Sequence, residues 1–213
     1  MGSADIPASR ATETGAAAGS SVGEGPAAAV AAPAPARIGL FSTIIATVFV
    51  ADQVTKLLAV DQLAPVYVPK VVLGNALRLT LVYNPGAAFG LHLGANSRWI
   101  FTALTIGALA LLYRLYRETR HGDLTRVVAI ALVAGGALGN LLDRLRSSRG
   151  VVDFIDVGIG ASRWPTFNVA DMAVSCGAAL LAIVLWREDA GRQAESRGTD
   201  DTTDAPADAP IHG

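Results

Sequence analysis

Asp153 and Asp171 are the residues of this chain best placed to do chemistry. Asp153 sits in the run Val-Val-Asp-Phe-Ile-Asp-Val over 151–157, and Asp171 in Phe-Asn-Val-Ala-Asp over 167–171. An apolar stretch of helical length follows Asp171, so both acids border membrane-type sequence. Carboxylates there are expensive and are usually kept for function. A short loop bearing Gly and Pro separates them, and its folding could turn the two side chains toward each other. Two facing carboxyl groups that share one proton are a device for activating water. A covalent route has no comparable support. His92, His121 and His212 stand in an outer region, a connection and a tail, none of them paired with a Ser or Cys on a membrane face. Cys176 is the single cysteine, which removes disulfides and Cys-based metal sites, and it reads as a small buried residue of a membrane helix.

The elements that must position these acids are long apolar runs. The 213 residues are 52% hydrophobic and 16% charged, against about 25% charged in an ordinary soluble domain. Four runs are long enough to cross a bilayer: Ile38 to Val60, Trp99 to Tyr116, Leu124 to Leu145 and Asn168 to Trp186. In the first, Asp52 and Lys56 stand four apart and share a helix face. Spacing alone favours an interfacial ion pair with Lys56 reaching toward water. In the third, Gly135, Gly136 and Gly139 permit close helix packing. The same helix then carries Asn140, Asp143 and Arg144 on one polar face, which would either solvate a helix end or wall a site. Asn168 suits the cap of the fourth helix, with Asp171 in its first turn where the dipole favours negative charge.

Between the first two helices, 61–97 changes texture. Tyr67 to Leu73 is β-branched, Gly74-Asn75 signals a turn, and Leu77 to Leu81 alternates, which predicts a small hairpin or sheet. It ends in Asn84-Pro85-Gly86-Ala87-Ala88-Phe89-Gly90, a tight turn whose small residues leave backbone open to a ligand. The second such segment, 146–167, holds Asp153. Residues 1–36 are Ala-, Gly-, Ser- and Pro-rich and predict a disordered tail, and 188–213 predict a disordered acidic one. Arg114, Arg117, Arg120, His121 and Arg126 gather in one short connection, which places it and both chain ends in the cytoplasm by the positive-inside rule. No basic stripe with interleaved aromatics is present, so nucleic acid is a poor candidate partner.

Five stretches in order carry a family resemblance: Asp52-Gln53-x-x-Lys56, Asn84-Pro85-Gly86-Ala87-Ala88-Phe89, Gly139-Asn140-x-x-Asp143-Arg144, Val151-Val152-Asp153-Phe154 and Phe167-Asn168-Val169-Ala170-Asp171. Together they resemble the lipoprotein signal peptidase (signal peptidase II) family of aspartic membrane peptidases, over roughly Ile38 to Trp186. The resemblance implies an α-helical polytopic membrane protein within 37–187. It would have four transmembrane helices, a small extracytoplasmic β-cradle in 61–97 and a second extracytoplasmic loop or helix in 146–167. It implies a catalytic dyad of Asp153 and Asp171, with Asn84, Gly86, Asn140, Asp143, Arg144, Asn168, Asp52 and Lys56 binding substrate or supporting the site. The implied substrate is a prolipoprotein whose cysteine carries diacylglycerol, cut just before that cysteine. The protein would act as a monomer in the bacterial cell membrane, among membrane lipids, with no metal or cofactor and with its site on the extracytoplasmic face. Asp156 reads as a loop residue outside the dyad.

Two other readings fit the residues alone. Intramembrane Asp residues also serve ion paths, so a small transporter or channel component is the alternative function. A lipid head-group enzyme could hold Mg²⁺ on Asp143, Asp153, Asp156 and Asp171, although no acidic pair stands one helical turn apart.

Overall fold

The computed structural model describes residues 35–88, 91–92 and 94–203. The tails over 1–34 and 204–213, with His212, and the motif positions Phe89 and Gly90 lie outside it. Helix α1 spans Pro35–Gln62, α2 Ser97–Glu118, α3 Leu124–Arg146 and α4 Val169–Thr203. Each contains a segment long and apolar enough to cross a bilayer: Arg37–Gln62, Ser97–Glu118, Leu124–Arg146 and Val169–Gln193. Their outward faces are apolar, with Leu57 and Trp186 70% and 74% exposed, the reverse of a helix that faces water.

Helix α1 begins earlier than expected because Pro35 is tolerated in a first turn, where its missing N–H has no partner to lose. Helix α4 corrects the expectation of disorder from residue 188, since it continues to Thr203. Asp189 there accepts from Gln193 Nε2 at 3.0 Å and pairs with Arg192 at 3.6 Å, one helical turn away. Cys176 is exposed on the outer surface of α4, contrary to the buried position expected.

Helix α3 is the centre of the bundle and packs against α1, α2 and α4. Its glycines explain how. A Cβ on Gly135 would meet Val48 and Ile45 of α1, one on Gly136 would meet the Ala170 carbonyl and Val174 of α4, and one on Gly139 would strike the Asp52 carboxylate. Small residues thus let three backbones approach closely where polar side chains must meet. At the other end of the bundle, Arg37 donates to the carbonyls of Tyr116 and Thr119 at the end of α2, satisfying acceptors that a helix terminus leaves open.

An antiparallel sheet follows the order β1 (Lys70–Leu73), β2 (Leu77–Asn84), β5 (Val151–Ile159), β6 (Ser162–Arg163). The expected β1–β2 hairpin turns at Gly74, whose φ of 47° suits glycine. A separate two-stranded ribbon joins β3 (Ala87–Ala88) to β4 (Leu91–His92). The segment after α3 is a strand rather than the loop or helix expected. Its Val-Val-Asp-Phe-Ile-Asp-Val run is β-branched and aromatic and completes the sheet beside β2. Ala59 of α1 and Leu63 just beyond its end pack with Leu81, Val152 and Phe154, which seats the sheet on the end of the bundle.

Candidate active site

The site forms where β2, β5, α1, α3 and α4 converge. Strand register sets its first pair. Asn84 lies opposite Val151, so Asp153, two residues further along β5, is its diagonal neighbour on the same face. Asn84 Nδ2 donates to Asp153 Oδ2 at 3.2 Å. Asn84 Oδ1 accepts from the Gly86 N–H at 3.1 Å, which fixes the amide with its NH2 toward Asp153. Gly86 itself has a φ of 120°, and a Cβ there would press on Ser97, so it shapes the turn.

The chain leaving β6 returns to β5. Phe154 and Ile155 both donate backbone N–H groups to the Phe167 carbonyl, and Phe167 donates back to Ile155. Asn168 is therefore delivered beside Asp153, where it opens α4. Its Oδ1 accepts from the Asp171 N–H at 2.9 Å, and its own N–H donates to Asp171 Oδ2 at 3.2 Å. This is a reciprocal capping box with Asn and Asp in place of Ser and Glu. Asn168 Nδ2, on the side chain, donates to Asp153 Oδ1 at 2.7 Å. One fully buried asparagine thus holds both carboxylates.

Helix α3 contributes Asn140, whose Nδ2 donates to Asp171 Oδ1 at 2.8 Å. Behind it lies Lys56, 3% exposed and hydrogen-bonded at 2.8 Å to Asn140 Oδ1. Lys56 also pairs with Asp52 at 2.8 Å and Asp143 at 2.9 Å. The expected interfacial Asp52–Lys56 pair is in fact a buried one, with Asp52 fully enclosed. Asp143 does not solvate a helix end either, because its Oδ2 accepts from Val152 N–H at 3.2 Å and ties α3 to β5.

Arg144 is placed differently. Its Nη1 donates to the Asn140 carbonyl at 3.2 Å, and its guanidinium lies 5.8 Å from the Phe101 ring centre. It stands within the field of Asp143, Asp153 and Asp171, but it forms no ion pair with them among the described residues. Asp156 is a buried strand residue rather than the loop residue expected. Thr80 donates to it at 3.2 Å and Arg163 pairs with it at 2.7 Å. Cations thus already engage Asp143 and Asp156, two of the four acids of the Mg²⁺ reading.

Burial and the nearby charge of Asp171 push the Asp153 carboxyl up to about 7, against the pull of Asn84, Asn168 and Lys56. A carboxyl titrating there can exist in either protonation state near neutral pH.

Two contributors were missed in the sequence. Gly150 has a φ of 96°, and a Cβ there would collide with the Asn84 carbonyl, so glycine is required where β5 meets β2. Arg98 Nε donates to the Arg144 carbonyl at 2.5 Å, fastening the start of α2 to the end of α3. A glycine directly before the β-branched run Val151-Val152 is the cue for Gly150, whereas nothing local marks Arg98.

The family model described as signal peptidase (SPase) II matches residues 44–187 of this chain. The lipoprotein signal peptidase of Burkholderia mallei (strain SAVP1) is 44% identical over 132 residues, which cover 61% of this chain and 77% of the relative. That of Paraburkholderia phymatum is 40% identical over 152 residues, covering 70% and 89%. A bacterial membrane enzyme solved by the in meso method at 2.3 Å resolution is similar with a TM-score of 0.63 and 30% identity, covering 82% of this chain and 96% of its own.

Proposed function

We propose, for a chain that belongs to the signal peptidase (SPase) II family, that Asp153 and Asp171 are the catalytic pair of an aspartic endopeptidase. The protein is a membrane protease that removes signal peptides from lipoproteins. The substrate in this reading is a prolipoprotein already carrying diacylglycerol on its cysteine, with cleavage just before that residue. The observation that carries the dyad is Asn168, which hydrogen-bonds to both carboxyl groups.

A peptide bond needs an activated nucleophile and a protonated leaving amine. With one proton between two carboxyl groups, the ionised one takes a proton from water while the other protonates the scissile carbonyl oxygen. The roles reverse as the amine leaves. Asn84, Asn140 and Asn168 hold the two carboxyl groups in place. Lys56, held by Asp52 and Asp143, anchors the Asn140 amide from behind, and Gly86 sets the turn that orients Asn84. Arg144 is left to handle the substrate.

The sheet end of the bundle is the extracytoplasmic end in this reading, and the Arg-rich α2–α3 connection and both termini are cytoplasmic. The site then sits where bilayer meets water in the bacterial cell membrane. The diacyl chains of the substrate can stay among membrane lipids while its peptide lies under the sheet. The protein works as a monomer, without nucleic acid, metal or cofactor. The transporter alternative gains nothing from membership of a peptidase family.

The deciding experiment incubates the purified protein with a diacylglyceryl prolipoprotein, in the presence and absence of EDTA. The expected result is release of the signal peptide in both, with the unlipidated preprotein left intact. A lipidated preprotein that is never cut refutes the substrate, and loss of cleavage in EDTA refutes the metal-free dyad.

A further inference from the structure

The two carboxyl groups of the dyad are not equivalent, and the difference begins at Lys56. An ammonium group donates hydrogen bonds and cannot accept them. Lys56 Nζ is 2.8 Å from Asn140 Oδ1, so the Asn140 amide must turn its oxygen to Lys56 and its NH2 to Asp171. Asn168 Nδ2 reaches the same oxygen at 3.1 Å and supports that orientation. An amide whose carbonyl is bound to a buried cation is polarised, and its N–H groups become stronger donors. Asp171 receives this donor at 2.8 Å on Oδ1 and the Asn168 N–H on Oδ2. It also lies in the first turn of α4, where the helix dipole favours negative charge.

Asp153 is bound neither by the Asn140 amide nor at a helix N-terminus, and Lys56 acts on it only through its charge. Its donors among the described residues are the amides of Asn84 and Asn168, whose oxygens accept from the backbone N–H groups of Gly86 and Asp171. It lies on a strand and is 3% exposed, whereas Asp171 is partly open. Of the hydrogen bonds it accepts from Asn168 and Asn84, the longer, 3.2 Å from Asn84, falls on Oδ2. The other charged groups facing the pair are Asp52 of α1 and Asp143 and Arg144 of α3.

We propose that Lys56 is a positioning residue that, acting through the Asn140 amide, keeps Asp171 as the ionised base and leaves the single shared proton on Asp153. This rests on the dyad reading above. Asp171 then takes a proton from water as the water oxygen bonds to the scissile carbonyl carbon, and Asp153 gives its proton to the carbonyl oxygen. When the C–N bond breaks, Asp171 passes its proton to the amine nitrogen. Asp153 recovers a proton from a hydroxyl of the tetrahedral intermediate. One water is consumed and both carboxyl groups return to their starting state.

The test is the pH profile of kcat/KM on a diacylglyceryl prolipoprotein, in which the acid limb reports the base and the alkaline limb reports the acid. Asn140→Ala is expected to move the acid limb up by about one pH unit, the size expected for a lost hydrogen bond to a charged group, and to spare the alkaline limb. Asn84→Ala is expected to do the opposite, moving only the alkaline limb upward. Lys56→Met should copy Asn140→Ala, and Lys56→Arg should restore the wild-type limb. If Lys56→Met does not fold, because Asp52 and Asp143 lose their cation, the two Asn variants still decide the matter. The swapped pattern, or reduced rates with neither limb moved, overturns the assignment while leaving an active dyad. A wild-type protein that cleaves nothing, or an active Asp153→Asn variant, overturns the dyad itself.

Discussion

Asp52 on α1 accepts a hydrogen bond at 2.9 Å from the backbone N–H of Ala170 on α4, 118 residues away in sequence. The same carboxylate holds Lys56 through its other oxygen. A side chain of the first helix therefore satisfies an open N–H at the start of the fourth, one residue before Asp171. The contact exists because Gly139 leaves room for it. Gly139→Ala would drive a methyl group into the Asp52 carboxylate. The expected result is a loss of at least about 2 kcal/mol, since overpacking and a disturbed buried ion pair act together. Gly107→Ala, where nothing stands within 4 Å, is the control and should be neutral or slightly stabilising. Thermal unfolding in detergent compares the two, and equal midpoints would remove Gly139 from the account.

Replacing either acid of the proposed dyad should separate folding from chemistry. Asp153→Asn and Asp171→Asn keep shape and most hydrogen bonds but cannot exchange a proton. General acid–base catalysis is worth about 10²–10⁴-fold for each group, so turnover should fall at least a hundredfold in each variant with the fold retained. Release of signal peptide from a lipidated preprotein measures this. Wild-type turnover by either folded variant contradicts the dyad.

The raised Asp153 carboxyl also makes stability depend on pH. Its folded value, about 7, exceeds the ordinary 3.8, so between those limits the folded state binds more protons than the unfolded one. The proton-linked stability is full below pH 4 and is lost as pH rises through 7. Asp153→Asn removes that dependence. At pH 8 the variant should be more stable than wild type, by no more than about 4 kcal/mol, and the gap should close toward pH 4. A difference in unfolding midpoint that is flat from pH 4 to pH 8 would falsify the linkage.

What the sequence made legible was local. The four apolar runs, the Gly74 turn and the Asn168 cap each depend on neighbours within a few residues, and each forms, although α1 and α4 extend beyond their runs. The helix-packing glycines were equally readable, because small residues on one face have few other uses in a membrane. The depth of Lys56 was not readable. Its i, i+4 partner Asp52 fits an exposed pair as well as a buried one, and only the arrival of Asn140 and Asp143 from α3 decides between them. Val151–Ile159 was misjudged for a similar reason. Its strand character becomes plain only beside β2, with which it pairs. The helix beyond Arg187 was missed because a charged Ala-rich composition suits a tail and a helix alike.

Asp156 offers a check on which acids do chemistry. It is buried on the same strand as Asp153, but Arg163 and Thr80 engage it fully. Asp156→Asn should lower stability by about 1–3 kcal/mol, because the buried Asp156 end of the Arg163 pairing loses its charge. The catalytic rate of the folded fraction should stay within about twofold of wild type. A loss of kcat as large as that of Asp153→Asn would make Asp156 part of the reaction.

Arg144 is the last residue whose role can be decided by measurement. It faces the dyad's field without binding either carboxylate, and its Nε is buried without a partner among the described residues. A guanidinium held this way keeps donors for something that arrives, and a peptide carbonyl or carboxylate is the group it suits. Its backbone carbonyl, not its side chain, carries the contact to Arg98. Arg144→Ala should therefore cost little stability, about 1 kcal/mol or less, from the lost bond to Asn140 and the Phe101 contact. The main effect should be on substrate, with KM raised about tenfold and kcat reduced less, the sign of lost binding rather than lost transition-state contact. Arg144→Lys should recover only part, because a single ammonium cannot reproduce a planar fork. Steady-state kinetics on one lipidated substrate separates these outcomes. An unchanged KM with a collapsed kcat would instead place the guanidinium on the reacting atoms.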